Sequence, residues 1–230
     1  MGEPILVYGK SGSGKSRSLK NFAEDEIFFV NVVSKRLPFA KKFKYEAKTR
    51  DYNKIKNQLL KMPCKVAVID DAGYLMTSTF MSGHSNPKGG SSTFDLFNQI
   101  GDEFWGLVLF VKEALPDDVF VYFMMHEISN DYGEVKVRTI GKLLDEKVCV
   151  EGMFTICLHC MTNGEKHYFK TQGGANDIAK SPEEMFEKEI ENDLKFVDER
   201  AREFWGIGEE NGKLSIRRFG LRKNLCRGKC

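Results

Sequence analysis

Gly9-Lys10-Ser11-Gly12-Ser13-Gly14-Lys15-Ser16 is the stretch on which the reading of this chain turns. It fits the spacing G-x-x-x-x-G-K-[ST] without a gap. Glycines let a backbone wrap so that successive N–H groups point inward at phosphate oxygens. A helix beginning near Gly14 would direct its positive end at the same place. Lys15 is spaced to reach the β- and γ-phosphates of a nucleotide, and the Ser16 hydroxyl to ligate Mg²⁺. Arg17 follows directly and completes the candidate phosphate-binding set. The context agrees, because Pro4–Tyr8 is a short apolar run that reads as a buried strand and a helical pattern continues from the loop through Phe22.

A second signal lies about 55 residues downstream. Val66-Ala67-Val68-Ile69-Asp70-Asp71 reads as an apolar strand ending in two carboxylates. Asp70 is placed to hold Mg²⁺ through water together with Ser16, and Asp71 to orient or deprotonate an attacking water. His126 ends the run Val119–Met125, and with Glu127 it is a candidate for sensing the γ-phosphate. Lys136-Val137-Arg138 follows a turn, Asp131–Glu134. On a strand that spacing puts both cations on one face, where Arg138 would complete a neighbouring subunit's site; Lys142 is a further candidate.

Outward from these motifs, Ile27–Val33 reads as a second strand and Lys65–Asp71 as a third. Tyr52–Met62 has helical spacing and is stopped by Pro63, and a long helix is expected from about Ser92 to Leu115. Thr139–Lys147 reads as a short helix. Asn163-Gly164 joins two strand-like runs, Met153–Met161 and Lys166–Thr171, into a hairpin. Ser181-Pro182 opens one C-terminal helix and Asp193–Trp205 forms another. Strands made of continuous apolar runs and alternating with helices argue for a mostly parallel sheet covered on both faces. The expected organisation is a core over 1–180, a helical extension over 181–211 and a basic tail over 212–230.

Hydrophobic residues make up 41% of the 230 residues and charged residues 30%, which excludes a disordered or collagen-like chain. The apolar runs are too short to cross a bilayer, and Met1-Gly2-Glu3-Pro4 does not open a signal peptide, so a cytoplasmic protein without membrane partners is expected. The net charge of +2 hides two basic segments. Residues 34–61 carry ten Lys/Arg against Glu46 and Asp51, and residues 212–230 carry seven Lys/Arg and no acid. Lys35, Arg36, Lys41, Lys42 and Lys44 interleave with Phe39, Phe43 and Tyr45, a pattern that suits phosphates and unpaired bases but also core aromatics at helical spacing. Arg217 and Arg218 begin the cationic run of the tail. Cys157 and Cys160 form a CxxC that Cys226 and Cys230 would complete as a zinc site, but three residues apart on a strand the first pair point to opposite faces.

The loop at 9–16, the Ile69-Asp70-Asp71 strand end, the His126 strand end, Thr139–Asp145 and Phe169–Phe186 resemble phage-encoded ATP-binding proteins of the AAA/RecA-like class, over roughly residues 4–200. The resemblance implies an α/β P-loop NTPase: a central, mostly parallel sheet flanked by helices, with an edge hairpin and C-terminal helices. It also implies a Mg²⁺-dependent ATPase that acts in phage DNA replication or recombination, as a homo-oligomer on single-stranded DNA and beside other proteins of that module. One departure stands out. RecA-like recombinases carry a catalytic Glu at the end of the strand after the phosphate-loop helix, where this chain has Val30-Asn31-Val32-Val33-Ser34 and no acid. Either Asp71 takes that role, or ATP mainly switches conformation. The alternatives are a P-loop kinase of a nucleotide or small molecule, for which no Arg-rich lid is evident, and a non-hydrolysing, ATP-dependent assembly switch.

Overall fold

Strands built from continuous apolar residues must be covered on both faces, and in the computed structural model, which describes residues 1–84 and 89–208, they pair into one mixed sheet. The strands are β1 (Glu3–Gly9), β2 (Ile27–Asn31), β3 (Tyr45–Ala47), β4 (Val66–Asp70), β5 (Phe120–Ser129), β6 (Val135–Val137), β7 (Ile156–Thr162), β8 (His167–Lys170) and β9 (Glu189–Glu191). The helices are α1 (Tyr52–Leu59), α2 (Gly73–Gly83), α3 (Gly89–Ala114) and α4 (Leu194–Trp205). The sheet runs β3-β2-β4-β5-β1-β7-β8-β9, with β6 paired to β5. The pairs from β3 through to β7 are parallel, and β7/β8, β8/β9 and β5/β6 are antiparallel.

Alternation along each strand divides the core in two. Leu6, Ala67, Ile69 and Phe123 pack against Ile55 of α1, Leu75 of α2 and Phe104 and Val108 of α3. Ile5, Val7, Val68 and Met124 pack on the other face with Leu19 and with Leu194, Val197 and Ala201 of α4. Cys157 belongs to the first core and Cys160 to the second, as the strand period requires. Among the described residues no His/Cys/Asp/Glu group is arranged to hold a metal, and Cys226 and Cys230 lie outside them. Among the described residues no helix is long and apolar enough to cross a membrane.

Several elements differ from the sequence reading. The helix expected after the loop is a 3-10 helix, Ser16–Asn21. The Ser18 hydroxyl donates to the Lys15 carbonyl at 2.6 Å and so competes for a helical acceptor. The segment read as irregular around Lys44 contributes β3, and residues 73–83, not assigned from sequence, form α2. Leu143–Lys147 is a single π-helical turn. No helix starts at Ser181. Its hydroxyl accepts from Gln172 Nε2 (2.9 Å) instead of capping, and Glu184 takes φ +62°. Thr171 then draws the chain on by donating from Oγ1 to the Glu187 carbonyl and from N to the Lys188 carbonyl, which leads into β9. The region 181–208 therefore adds a strand to the sheet and one helix, α4, to the second core. The tail over 212–230 lies outside the described residues.

Candidate functional site

The parallel strands all end on one edge, so their last residues converge. Gly9 is in register with His126, Asn31 with Asp70, and Tyr8 with His159. β5 lies between β1 and β4, which brings the loop 9–16 and the Asp70-Asp71 strand end to either side of His126.

The loop is shaped by close approach and backbone geometry. A Cβ on Gly9 would lie 2.3 Å from the Cys160 carbonyl oxygen. Gly14 has φ +109°, and a Cβ there would lie 2.8 Å from the His167 ring. The hairpin β7–β8 also bonds to the loop, since the Ser13 carbonyl accepts from Cys160 Sγ (3.3 Å) and faces His167 Nδ1 at 2.7 Å. The buried Ser13 hydroxyl has no hydrogen-bond partner among the described residues. Lys15 is buried, and its Nζ donates to the carbonyls of Gly9 (2.7 Å) and Lys10 (2.9 Å). Burial pulls its pKa down, against the opposing charges of Asp71, Asp70 and Glu127. Arg17 reaches away toward Asn192 at 3.5 Å.

Ser16 Oγ lies 3.0 Å from each carboxylate oxygen of Asp70. Burial and the neighbouring Asp71 charge push the Asp70 pKa up to about 6, although Ser16, Lys35 and Lys15 oppose this. Asp71 takes φ +60°, a conformation that costs a non-glycine residue about 1–3 kcal/mol. Its Oδ2 accepts from Lys35 Nζ, and its Oδ1 lies 3.2 Å from His126 Nε2. Burial alone would raise its pKa, but these contacts from His126 and Lys35 hold it below the usual carboxylate value. Tyr74, on α2, meets the His126 ring edge-on at 6.0 Å and carries Lys35 Nζ 5.7 Å from its ring centre.

Lys10, Ser11, Lys35, Tyr74, His126, Glu127 and Arg138 line a cavity of about 450 Å³ beside the loop. Arg138 was expected to serve a neighbouring subunit. Its backbone N donates to the His126 carbonyl, and the residue lines this cavity. Lys142 is exposed and precedes the π-helical turn.

Asn31 stands where an acid was sought. Its Nδ2 donates to the Lys35 carbonyl (2.8 Å) and to Glu46 (3.1 Å), and its Oδ1 accepts from Lys35 N (3.0 Å). A carboxylate cannot donate, so only an amide makes all three bonds and sets Lys35 on Asp71. Lys35 thus belongs to this site, and it also lines the groove of the basic segment.

The other cations of that segment divide. Lys41 Nζ donates to the carbonyls of Lys20 and Phe22, and Lys44 lies over Tyr45. Arg36 and Lys42 line a groove of about 960 Å³ with Phe39. Phe43 is buried against Phe29, so that ring presents no face to a base. Arg217 and Arg218 lie outside the described residues.

One group of residues was not assembled from sequence. Glu127, His159 and Asp177 form a row, the first two buried and the third half-buried, with His159 Nε2 at 2.7 Å from Glu127 and Nδ1 at 3.1 Å from Asp177. Tyr8 stacks on the imidazole at 4.6 Å and donates its hydroxyl to Asp177, which also accepts from Lys170 (2.8 Å). Burial works to raise the Asp177 pKa, and His159, Lys170 and Tyr8 together hold it well below the usual range. The one sequence signal was a histidine inside the apolar run Ile156–Cys160.

No protein-family model matches the chain, and no curated protein matches it.

Proposed function

We propose that the chain is a P-loop NTPase that binds ATP and Mg²⁺ at the Gly9–Ser16 loop and hydrolyses the β–γ bond, acting on single-stranded DNA as an oligomer in a phage replication or recombination module. The observation that carries the nucleotide reading is the Ser16 hydroxyl set 3.0 Å from both oxygens of Asp70, from elements 54 residues apart. Two hard oxygen ligands converging beside a glycine loop suit Mg²⁺ completed by phosphate and water. Ser16 and Asp70 would hold the ion, which would neutralise charge on the transferring phosphoryl group. The unpartnered Ser13 hydroxyl and the loop-bound Lys15 ammonium fit a phosphate chain in the same place. Lys35, His126 and Arg138 would offer nitrogen donors, two of them cationic side chains, to the γ-phosphate side of the cavity. Asp71 holds the first two of these. The DNA part of the reading rests on Arg36 and Lys42 in their groove and on the basic tail.

A second reading, an ATP-dependent assembly switch without turnover, is favoured by Asn31, which makes loop bonds where a catalytic acid would stand. Nucleotide binding and phosphate release by wild type and Lys15→Ala separate these cases. The ATPase reading expects Lys15→Ala to lose roughly 100-fold or more in turnover. Binding without release in wild type would favour the switch, and full retention by Lys15→Ala would overturn the nucleotide site itself.

A further inference from the structure

Asp71 follows the metal-side carboxylate directly, yet both of its oxygens are engaged, one by Lys35 and one by His126. Such a carboxylate works as a clamp on an ammonium and an imidazole. Glu127 differs. It is buried at the end region of β5 and is the one carboxylate among the described residues lining the cavity with Lys10, Ser11, Lys35, His126 and Arg138. Its Oε2 is fixed by His159 Nε2 at 2.7 Å, and the imidazole is fixed in turn by Asp177 and by the Tyr8 ring.

Each ring nitrogen of His159 faces a carboxylate oxygen. Both contacts are hydrogen bonds only when both nitrogens carry a proton, or when one carboxylate carries it. Holding two carboxylates and an imidazole in one row, with Glu127 and His159 buried and Asp177 half-buried, gains no stability over filling the same space with apolar side chains. Packing does not explain the row. It has the make-up of a carboxylate held in one orientation by a supported imidazole, with a place for one proton.

We infer that Glu127 is the general base of this site and that His159 is its positioning residue, an assignment that rests on the ATPase reading above. Glu127 takes a proton from a water as the water oxygen forms its bond to the γ-phosphorus. The bond from that phosphorus to the β–γ bridging oxygen breaks, and its electron pair stays on the oxygen of ADP. Inorganic phosphate is the second product, and the proton held by Glu127 passes to solvent before the next turnover. A positioned carboxylate base contributes on the order of 10²–10⁴-fold.

The test compares wild type, Glu127→Gln and Glu127→Ala for binding of a fluorescent ATP analogue and for phosphate release with ATP and Mg²⁺, with and without added formate. Glu127→Gln is expected to keep nucleotide affinity and lose about 100-fold or more in turnover. Formate is expected to restore turnover to Glu127→Ala, an effect that a merely structural carboxylate would not show. Turnover within a few-fold of wild type in Glu127→Gln, parallel loss of binding, or no rescue by formate would overturn the assignment. Wild type that binds ATP without releasing phosphate removes the ATPase reading and the base with it; that failure is read from wild type alone and so is distinct from failure of Glu127.

Discussion

Asp70 carries an energetic tension that can be measured. Its side chain is buried at the end of β4, with the Ser16 hydroxyl on it and the Asp71 charge next to it. Burial and Asp71 raise its pKa to about 6, whereas the unfolded carboxylate titrates near 4. The folded state therefore holds the Asp70 proton more tightly than the unfolded chain does. Below about pH 4 both states are protonated and the residue costs nothing; above pH 6 both are ionised and the folded state bears the full cost. Two units correspond to about 3 kcal/mol. Asp70→Asn keeps an acceptor for Ser16 and removes the charge. It is expected to raise the thermal midpoint of the metal-free, nucleotide-free protein by roughly 5–10 °C at pH 8. The gap over wild type should close as pH falls from 6 toward 4. Scanning calorimetry across that range checks it, and a gap that ignores pH would show that the carboxylate bears no burial cost. Under the proposed nucleotide reading the same substitution should abolish Mg²⁺-dependent nucleotide binding, and the residue would then trade stability for a ligand.

Among elements, the hairpin β7–β8 has a role larger than closing the sheet. It braces the loop 9–16 through Cys160 and His167, both of which meet Ser13, while the His167 ring occupies the space where a Gly14 side chain would go. Gly14→Ala therefore meets two penalties, a backbone at φ +109° and a ring 2.8 Å from the new Cβ. Together they should lower stability by about 1–3 kcal/mol and weaken nucleotide binding. Adding His167→Ala should return the steric part and leave the backbone part, giving a coupling of about 0.5–1 kcal/mol in a double-mutant cycle from chemical denaturation. Strict additivity would mean that the hairpin does not brace the loop. This hairpin was legible because Asn163-Gly164 states its turn chemistry locally. β3 and β9 were not, because strands of three residues at or near a sheet edge carry too few side chains to show a period. At Ser181 the local cap signal was strong, but the Thr171 and Gln172 bonds to distant backbone overrode it.

The whole molecule sets what the basic segments are left to do. The sheet order gathers Gly9, Asn31, Asp70 and His126 onto one edge, and that much follows from strand periods and the two motifs. The Glu127–His159–Asp177 row was illegible because its members come from β5, β7 and the loop after β8, and no local spacing relates them. The same folding redistributes charge. Lys35 is drawn onto Asp71 and Lys41 onto backbone carbonyls, so both ammonium groups already have partners, although both residues still line the groove with Arg36 and Lys42. Arg36 and Lys42 remain exposed in the groove beside Phe39. If single-stranded DNA tracks this groove, each cation releases counterions on binding, and the dependence of log affinity on log salt contains about 0.7 per phosphate neutralised. Replacing both Arg36 and Lys42 with Gln should then reduce the salt slope by about 1.4 and weaken binding alike on all sequences. Fluorescence anisotropy with a labelled single strand, from low to moderate salt, reads both quantities. An unchanged slope would move the contact to the Arg217-Arg218 tail. Absence of salt-dependent binding in wild type would strip the DNA part from the proposed function and leave the basic segments as solvated surface, because phosphate contacts cannot form without that dependence.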